Sequence, residues 1–360
     1  MISAAPHIMR MSPYALAALD TPDGGSLISL AQNECLRPPS PDAIAAAAEA
    51  LSSGHLYPDP DWHGLRSALS DLHAIPASRI LCGNGSMELI AGLAQAFAFE
   101  GGAVLAPDHA YPFFRTAAHL ARARFDTAPE RDGRVSVDAL LAAANQDTRL
   151  VFIANPGNPT GSRISRADLI RLRDGLSESI LLVIDEAYGE FADHLAEPMF
   201  DLVQRGDTVI LRTLSKAYGL AGARIGWGLF PPDVLAEVRK VLTPNSVSSA
   251  AQAAATSAIL DQTYMRETCA QTAQNRDAFS IRIRDAGLDV AESFTNFVLI
   301  RFDTEQLAKS AHAALNAEGI VARAQGGAGL PEYLRVTVGA PEPLHLAATC
   351  LFRWAEVEKR

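Results

Sequence analysis

A chain of 360 residues is longer than one hydrophobic core usually organises, so a large domain joined to a smaller one is expected. Hydrophobic residues make up 48% and charged residues 20%, a globular composition that excludes disorder and fibrous repeats. The formal net charge of −10 is spread thinly, with no basic cluster to neutralise a phosphate backbone, which argues against nucleic acid as a partner.

Residues 1–20 lack the basic start and unbroken apolar core of a secretory signal, and no later stretch reaches membrane-spanning length. A cytoplasmic protein without a membrane partner is expected. Cys35, Cys82, Cys269 and Cys350 lie far apart, without the paired spacings of a zinc or redox motif, so they read as reduced thiols and no metal is expected.

Along the chain, Ala-rich helical segments alternate with short apolar runs that end in Gly, Pro, Asn or Asp. Gly83-Asn84-Gly85-Ser86-Met87-Glu88 opens the first clear apolar helical segment. Strands are predicted at 103–106, 150–154, 180–184 and 208–212, each nearly all apolar, as strands covered on both faces should be. Helices fill the intervals, as parallel crossovers require. The fold class is therefore α/β, a three-layer domain with a mostly parallel central sheet plus a smaller α/β domain. The break at Thr243-Pro244-Asn245-Ser246 sets the division: an N-terminal arm over 1–30, a large domain over 31–245 and a small one over 246–360.

Ligands of open α/β sheets gather beyond the carboxyl ends of the strands. After 150–154 comes Asn155-Pro156-Gly157-Asn158-Pro159-Thr160-Gly161, a turn able to aim an amide into the crevice or simply to start a helix. After 180–184 comes Asp185-Glu186-Ala187-Tyr188, either a helix cap or a placed carboxylate and phenol. After 208–212 comes Thr213-Leu214-Ser215-Lys216, with Arg224 further on, which alone would read as surface cations. Together these groups are what pyridoxal 5′-phosphate needs. Lys216 supplies a Schiff base, Asp185 a carboxylate to keep the pyridine nitrogen protonated, and Asn158 and Tyr188 hydrogen bonds to the phenolic oxygen. Ser215 and Arg224 offer donors to the phosphate, as do the N–H groups of the helix opening at Gly85-Ser86-Met87.

The ordered motifs LYPDP (56–60), GNGS (83–86), NPGNPTG (155–161), VIDEAY (183–188) and TLSKAYGLAGARIGW (213–227) carry a resemblance over nearly the whole length. The chain resembles the fold-type I aminotransferases, and within them the histidinol-phosphate aminotransferase family. The resemblance implies that Lys216 also shuttles the proton between substrate and cofactor. It places Ser86, Thr213, Ser215 and Arg224 in the phosphate cradle and Tyr111 against the cofactor ring. It also implies a homodimer with shared sites, in which Tyr57 reaches the neighbour's cofactor phosphate. In the C-terminal third, Arg335 matches the clamp for the substrate carboxylate, which a planar guanidinium suits. Tyr14 and Arg323 resemble residues that hold the phosphate of histidinol phosphate; the alternatives are a hydrophobic anchor and a solvated arginine.

Two departures bear on the substrate: Met87 stands where the family usually has an acid, and Asn33-Glu34-Cys35-Leu36-Arg37-Pro38 replaces the family's Asn-Glu-Asn-Pro. Arg37 and Arg115 either meet an acidic substrate or face solvent. The expected activity is transfer of an amino group between histidinol phosphate and 2-oxoglutarate. Alternatives are an aromatic or specialised amino acid as donor, a related decarboxylase or lyase, or a binding protein that has lost the chemistry.

Overall fold

The structure, a computed structural model, describes residues 2–9, 11–13, 27–195 and 197–358. Among these residues no helix is long and apolar enough to cross a membrane. The central sheet has seven strands, in the spatial order Ile80–Gly83, Gly226–Leu229, Thr208–Thr213, Leu181–Asp185, Thr148–Ala154, Ala103–Pro107, Arg124–Ala128. Six run parallel and Gly226–Leu229 runs against both its neighbours. The four predicted strands sit at the centre of this order, beside one another.

Their position comes from their side chains. Every residue of Leu181–Asp185 and of Thr208–Thr213 is buried, which only a strand with both faces covered permits. The covering helices begin at hydroxyl caps: Ser40, Ser136, Ser165 and Ser248 each accept the backbone N–H three residues on, removing an orphan donor. The antiparallel strand is less visible in the sequence because two of its four residues are glycine. Those glycines are steric necessities. A Cβ on Gly226 would lie 2.4 Å from the Ser86 nitrogen, and one on Gly228 would lie 2.6 Å from Leu211 Cδ2.

A second hydrophobic core forms around the four-stranded sheet that contains Phe297–Arg301, Arg323–Gln325 and Leu330–Thr337, packed by helices Glu305–Ala317 and Pro341–Glu358. Ile28–Ser29 pairs in parallel with Ile320–Val321, and the Thr337 N–H donates to Leu30 O at 2.8 Å, so residues 28–30 of the arm are stitched to this core.

The two hydrophobic cores change over further along the chain than residue 245. Helix Ser249–Leu260 lies beyond that point, yet it packs on helices Pro41–Leu51 and His63–His73, and its Ala251, Ala255 and Ile259 belong to the first core. The change of core falls within helix Gln262–Asp285, whose Met265 packs in the first core and whose Phe279 and Ile283 pack in the second. An alanine-rich helix has no heavy apolar stripe to reveal which core it serves, and the break at 243–246 is a turn between two helices of one core.

Candidate active site

The parallel strands bring three chemical groups level. Ala154 pairs with Asp185 and Asp185 with Leu211, so the loops beyond them leave the sheet side by side. Main-chain bonds tie these loops together: the Asn155 N–H donates to Asp185 O at 3.0 Å and the Glu186 N–H to Leu211 O at 2.8 Å. The buried Glu186 accepts from Arg212 Nε at 2.9 Å, and Arg212 also pairs with Asp193, which fixes the turn between Asp185 and Tyr188 from below.

Asp185 is buried, and burial pushes its carboxyl up to about 7 although the Ala187 N–H donates to it at 3.1 Å. A cation facing this carboxylate would restore its charge. Lys216 projects from the loop after Thr208–Thr213 and donates to Asn33 O at 3.0 Å, with its Nζ 5.9 Å from the centre of the Tyr188 ring. Burial, with Arg335 and Arg224 adding repulsion, pulls the ammonium down to about 8. About a tenth of this amine is therefore uncharged and nucleophilic at pH 7, far more than of an ordinary lysine.

An anion cradle lies beside the lysine. Thr213 Oγ1 donates to Ser215 Oγ at 3.0 Å and Arg224 Nη1 donates to the same oxygen at 3.4 Å, so Ser215 accepts twice and keeps its own hydrogen to give away. Arg224 lies close over Gly85: a Cβ at Gly85 would be 2.5 Å from its Nη2, and the φ of +75° there favours glycine as well. Gly85 leads into helix Ser86–Phe97 without a side-chain cap; the Glu88 N–H donates to Gly85 O at 3.3 Å, which leaves the Ser86 and Met87 N–H groups for an outside acceptor, with Met87 second in the helix and half-buried.

Tyr111, half-buried at the start of helix Pro112–Leu120, packs edge-on against Phe114 with ring centres 5.6 Å apart. Asn158 Oδ1 accepts from Arg335 Nη1 at 2.6 Å, while Arg335 Nη2 donates to Ala31 O at 2.8 Å. Arg335 lies directly across the ladder from Arg323. Opposed residues of an antiparallel pair point to the same face, so two guanidinium groups share one side of this sheet. The carboxylate at the strand end, the depressed lysine and the uncapped helix with its donor-rich cradle all fit pyridoxal phosphate.

Residues 26–349 match the family described as aminotransferase class I and II. The chain belongs to the class I and II aminotransferases. It is 41% identical over 353 residues to a histidinol-phosphate aminotransferase of Rhodospirillum centenum, covering 97% of each chain. A histidinol-phosphate aminotransferase of Sinorhizobium meliloti, solved in complex with pyridoxal-5′-phosphate, superposes with a TM-score of 0.93 at 30% identity, covering 99% of this chain and 98% of that one. A Thermus thermophilus aspartate aminotransferase mutant shares the fold, with a TM-score of 0.83 at 20% identity and coverage of 98% and 100%. The α/β fold-type I architecture and the transaminase class read from the sequence agree with these matches.

Within this aminotransferase the remaining residues fall outside the group just described or were not singled out. Tyr14 lies outside the described residues. Tyr57 is 88% exposed on its own chain, on the loop after helix Pro41–Leu51. Arg37 stacks on Tyr264 at 3.9 Å and pairs with Glu267, and Arg115 lies over Phe125 at 4.9 Å. Sequence reasoning gave no role to Asn33, Asn296 or Thr337. Asn33 Nδ2 donates to the Tyr188 hydroxyl at 2.8 Å, and Asn296 Nδ2 donates to Asn33 O at 3.1 Å. The Asn-Glu pair at 33–34 was the one available signal, and nothing in it says which side chain the amide meets.

Proposed function

We propose that this aminotransferase uses pyridoxal 5′-phosphate to move an amino group reversibly between histidinol phosphate and 2-oxoglutarate, giving imidazole acetol phosphate and glutamate. The observation that carries the reading is the pairing of Arg323 with Arg335 on one sheet face beside Asn158. A phosphate carries about −1.5 to −2 charges at neutral pH and matches two guanidinium groups, whereas a carboxylate is satisfied by one bidentate arginine. Such a face can take the phosphate of one substrate and the α-carboxylate of the other in turn. The histidinol-phosphate aminotransferases among its relatives support the same choice.

When bound, the cofactor supplies the electron sink that stabilises negative charge at the substrate's α-carbon. Lys216 would hold it covalently and would carry the proton taken from that carbon. Asp185 would keep the ring nitrogen charged, Asn158 and Tyr188 would hold the phenolic oxygen, and Tyr111 would pack against the cofactor. Gly85, Ser86, Met87, Thr213, Ser215 and Arg224 hold the phosphate, joined by Tyr57 of a second subunit in a homodimer. Arg335, with Arg323, would bind and orient the substrate. The enzyme works in the cytoplasm.

The test is a panel of donors scored by the spectral half-reaction: histidinol phosphate, phenylalanine, tyrosine and arginine. Histidinol phosphate is expected to react fastest, and an Arg323→Ala variant to lose that donor far more than glutamate. Phenylalanine matching histidinol phosphate overturns the substrate assignment.

A further inference from the structure

Asn33 is 2% exposed and stands at the junction of both cores and the candidate site. Its φ of +54° is a left-handed conformation that asparagine tolerates better than most residues. The Asn33 N–H donates to Thr337 Oγ1 at 2.9 Å, so the Thr337 hydroxyl is free to give its own hydrogen to Asn33 Oδ1, 3.3 Å away. That exchange settles the orientation of the amide: Oδ1 accepts, and Nδ2 is the end that meets Tyr188. An amide nitrogen only donates. The Tyr188 hydroxyl therefore receives a hydrogen from Asn33 at 2.8 Å and must direct its own hydrogen elsewhere. Meanwhile the Asn33 carbonyl accepts from Lys216 Nζ at 3.0 Å, and Thr337 lies on the strand that carries Arg335.

We infer that Asn33 is a positioning residue: its amide, held by Thr337, fixes the Tyr188 hydroxyl as a hydrogen-bond donor toward the cofactor's phenolic oxygen. This rests on the cofactor reading above. Because Thr337 lies two residues from Arg335, the strand that orients the substrate and the phenol that tunes the cofactor are linked through one side chain. A donor at the phenolic oxygen stabilises its anionic form and so weakens its hold on the proton it shares with the lysine nitrogen. Removing that donor raises the pH at which the visible absorbance band changes form.

The experiment titrates the absorbance of the holoenzyme and of Asn33→Gly, Asn33→Asp, Tyr188→Phe and Asn33→Gly/Tyr188→Phe. Glycine keeps the left-handed backbone and the carbonyl that Lys216 meets, and deletes only the amide. Its midpoint is expected to rise by about one pH unit, and the double variant to rise no further than Tyr188→Phe, as residues acting through one another should. Asn33→Asp, which offers the phenol an acceptor in place of a donor, is expected to raise the midpoint at least as far and serves if the glycine variant does not fold. An unchanged midpoint in the folded variants, or a shift that adds fully to that of Tyr188→Phe, overturns the inference while leaving the cofactor reading intact. A parent protein that forms no visible band with pyridoxal phosphate overturns both.

Discussion

The two sides of the proposed active site are built differently. The cofactor side comes from consecutive residues behind neighbouring parallel strands: Asn158, Asp185 with Tyr188, and Thr213 to Lys216. The substrate side is assembled from distant pieces, Ala31 to Asn33, Asn296, Arg323 and the stretch from Arg335 to Thr337, which meet through hydrogen bonds spanning as many as 304 positions. The carboxyl end of a parallel sheet imposes the first arrangement on any sequence with the right strands. The second exists only where both cores have formed and docked, so its geometry is the more easily altered without loss of the fold.

If that contrast holds, variants on the cofactor side should act chiefly on cofactor chemistry or stability, and those of the substrate-side arginines on substrate preference. The largest effect is expected for Lys216→Ala. Loss of proton transfer alone should lower the half-reaction by about 10²–10⁴-fold, with loss of covalent attachment adding to it, while the protein still binds cofactor. Substantial retained transamination would remove Lys216 from the centre of the site.

Arg212→Ala should destabilise by about 3–5 kcal/mol in urea unfolding, because it strands Glu186 and Glu190, both nearly inaccessible, without their cation. A change within error would show that the turn below Asp185 does not depend on this ion pair.

Asp185→Asn isolates the carboxyl that burial pushes up to about 7. A folded pKa above the unfolded value means that the folded state retains a proton the unfolded state has lost. Its contribution is nil below about pH 4 and increasingly unfavourable up to about pH 7, on the order of 4 kcal/mol in full. Without cofactor, the asparagine variant should thus gain on the parent progressively between those pH values, as measured by paired melts. Adding pyridoxal phosphate should reverse the ranking, since the charged ring nitrogen needs the carboxylate. A difference independent of pH would mean that the carboxyl is not desolvated.

On the substrate side, Arg335→Lys keeps the charge and loses the two-pronged geometry. Glutamate kcat/KM should fall roughly 10- to 100-fold, corresponding to about 1.5–3 kcal/mol for a hydrogen bond to a charged group, with cofactor affinity little changed. Equal loss of cofactor affinity would blur the distinction between the two sides. The smallest effect is kinetic: the rate at which apoenzyme captures the cofactor should rise with pH through about 8, where the buried Lys216 loses its proton. A midpoint near that of an ordinary lysine would show the amine to be solvated.

Much of the cofactor side was legible because its signals are local. An all-apolar run such as 180–184 reads as a covered strand, and the residues just past the end of such a strand lie on the ligand side of the sheet, so Asp185 could be placed before any contact was known. Met87 and Gly85 were placed in the same way, by the start of an apolar helix. The strand Gly226–Leu229 left little trace because its glycines answer to steric contact with Ser86 and Leu211, neighbours that are remote in sequence. Helix Ser249–Leu260 could not be given to its core because alanine marks neither face strongly.

The sequence by itself determined the α/β class, the order of the chemical groups and which lysine is the candidate, since hydrophobic periodicity and strand-end position act over a few residues. Only the tertiary structure decided that Arg323 stands opposite Arg335, that Arg335 reaches Asn158, and that Asn33 meets both Lys216 and Tyr188. Those relations depend on strand register and on the meeting of two cores, and register is fixed by packing between segments that carry no mark of one another in the chain.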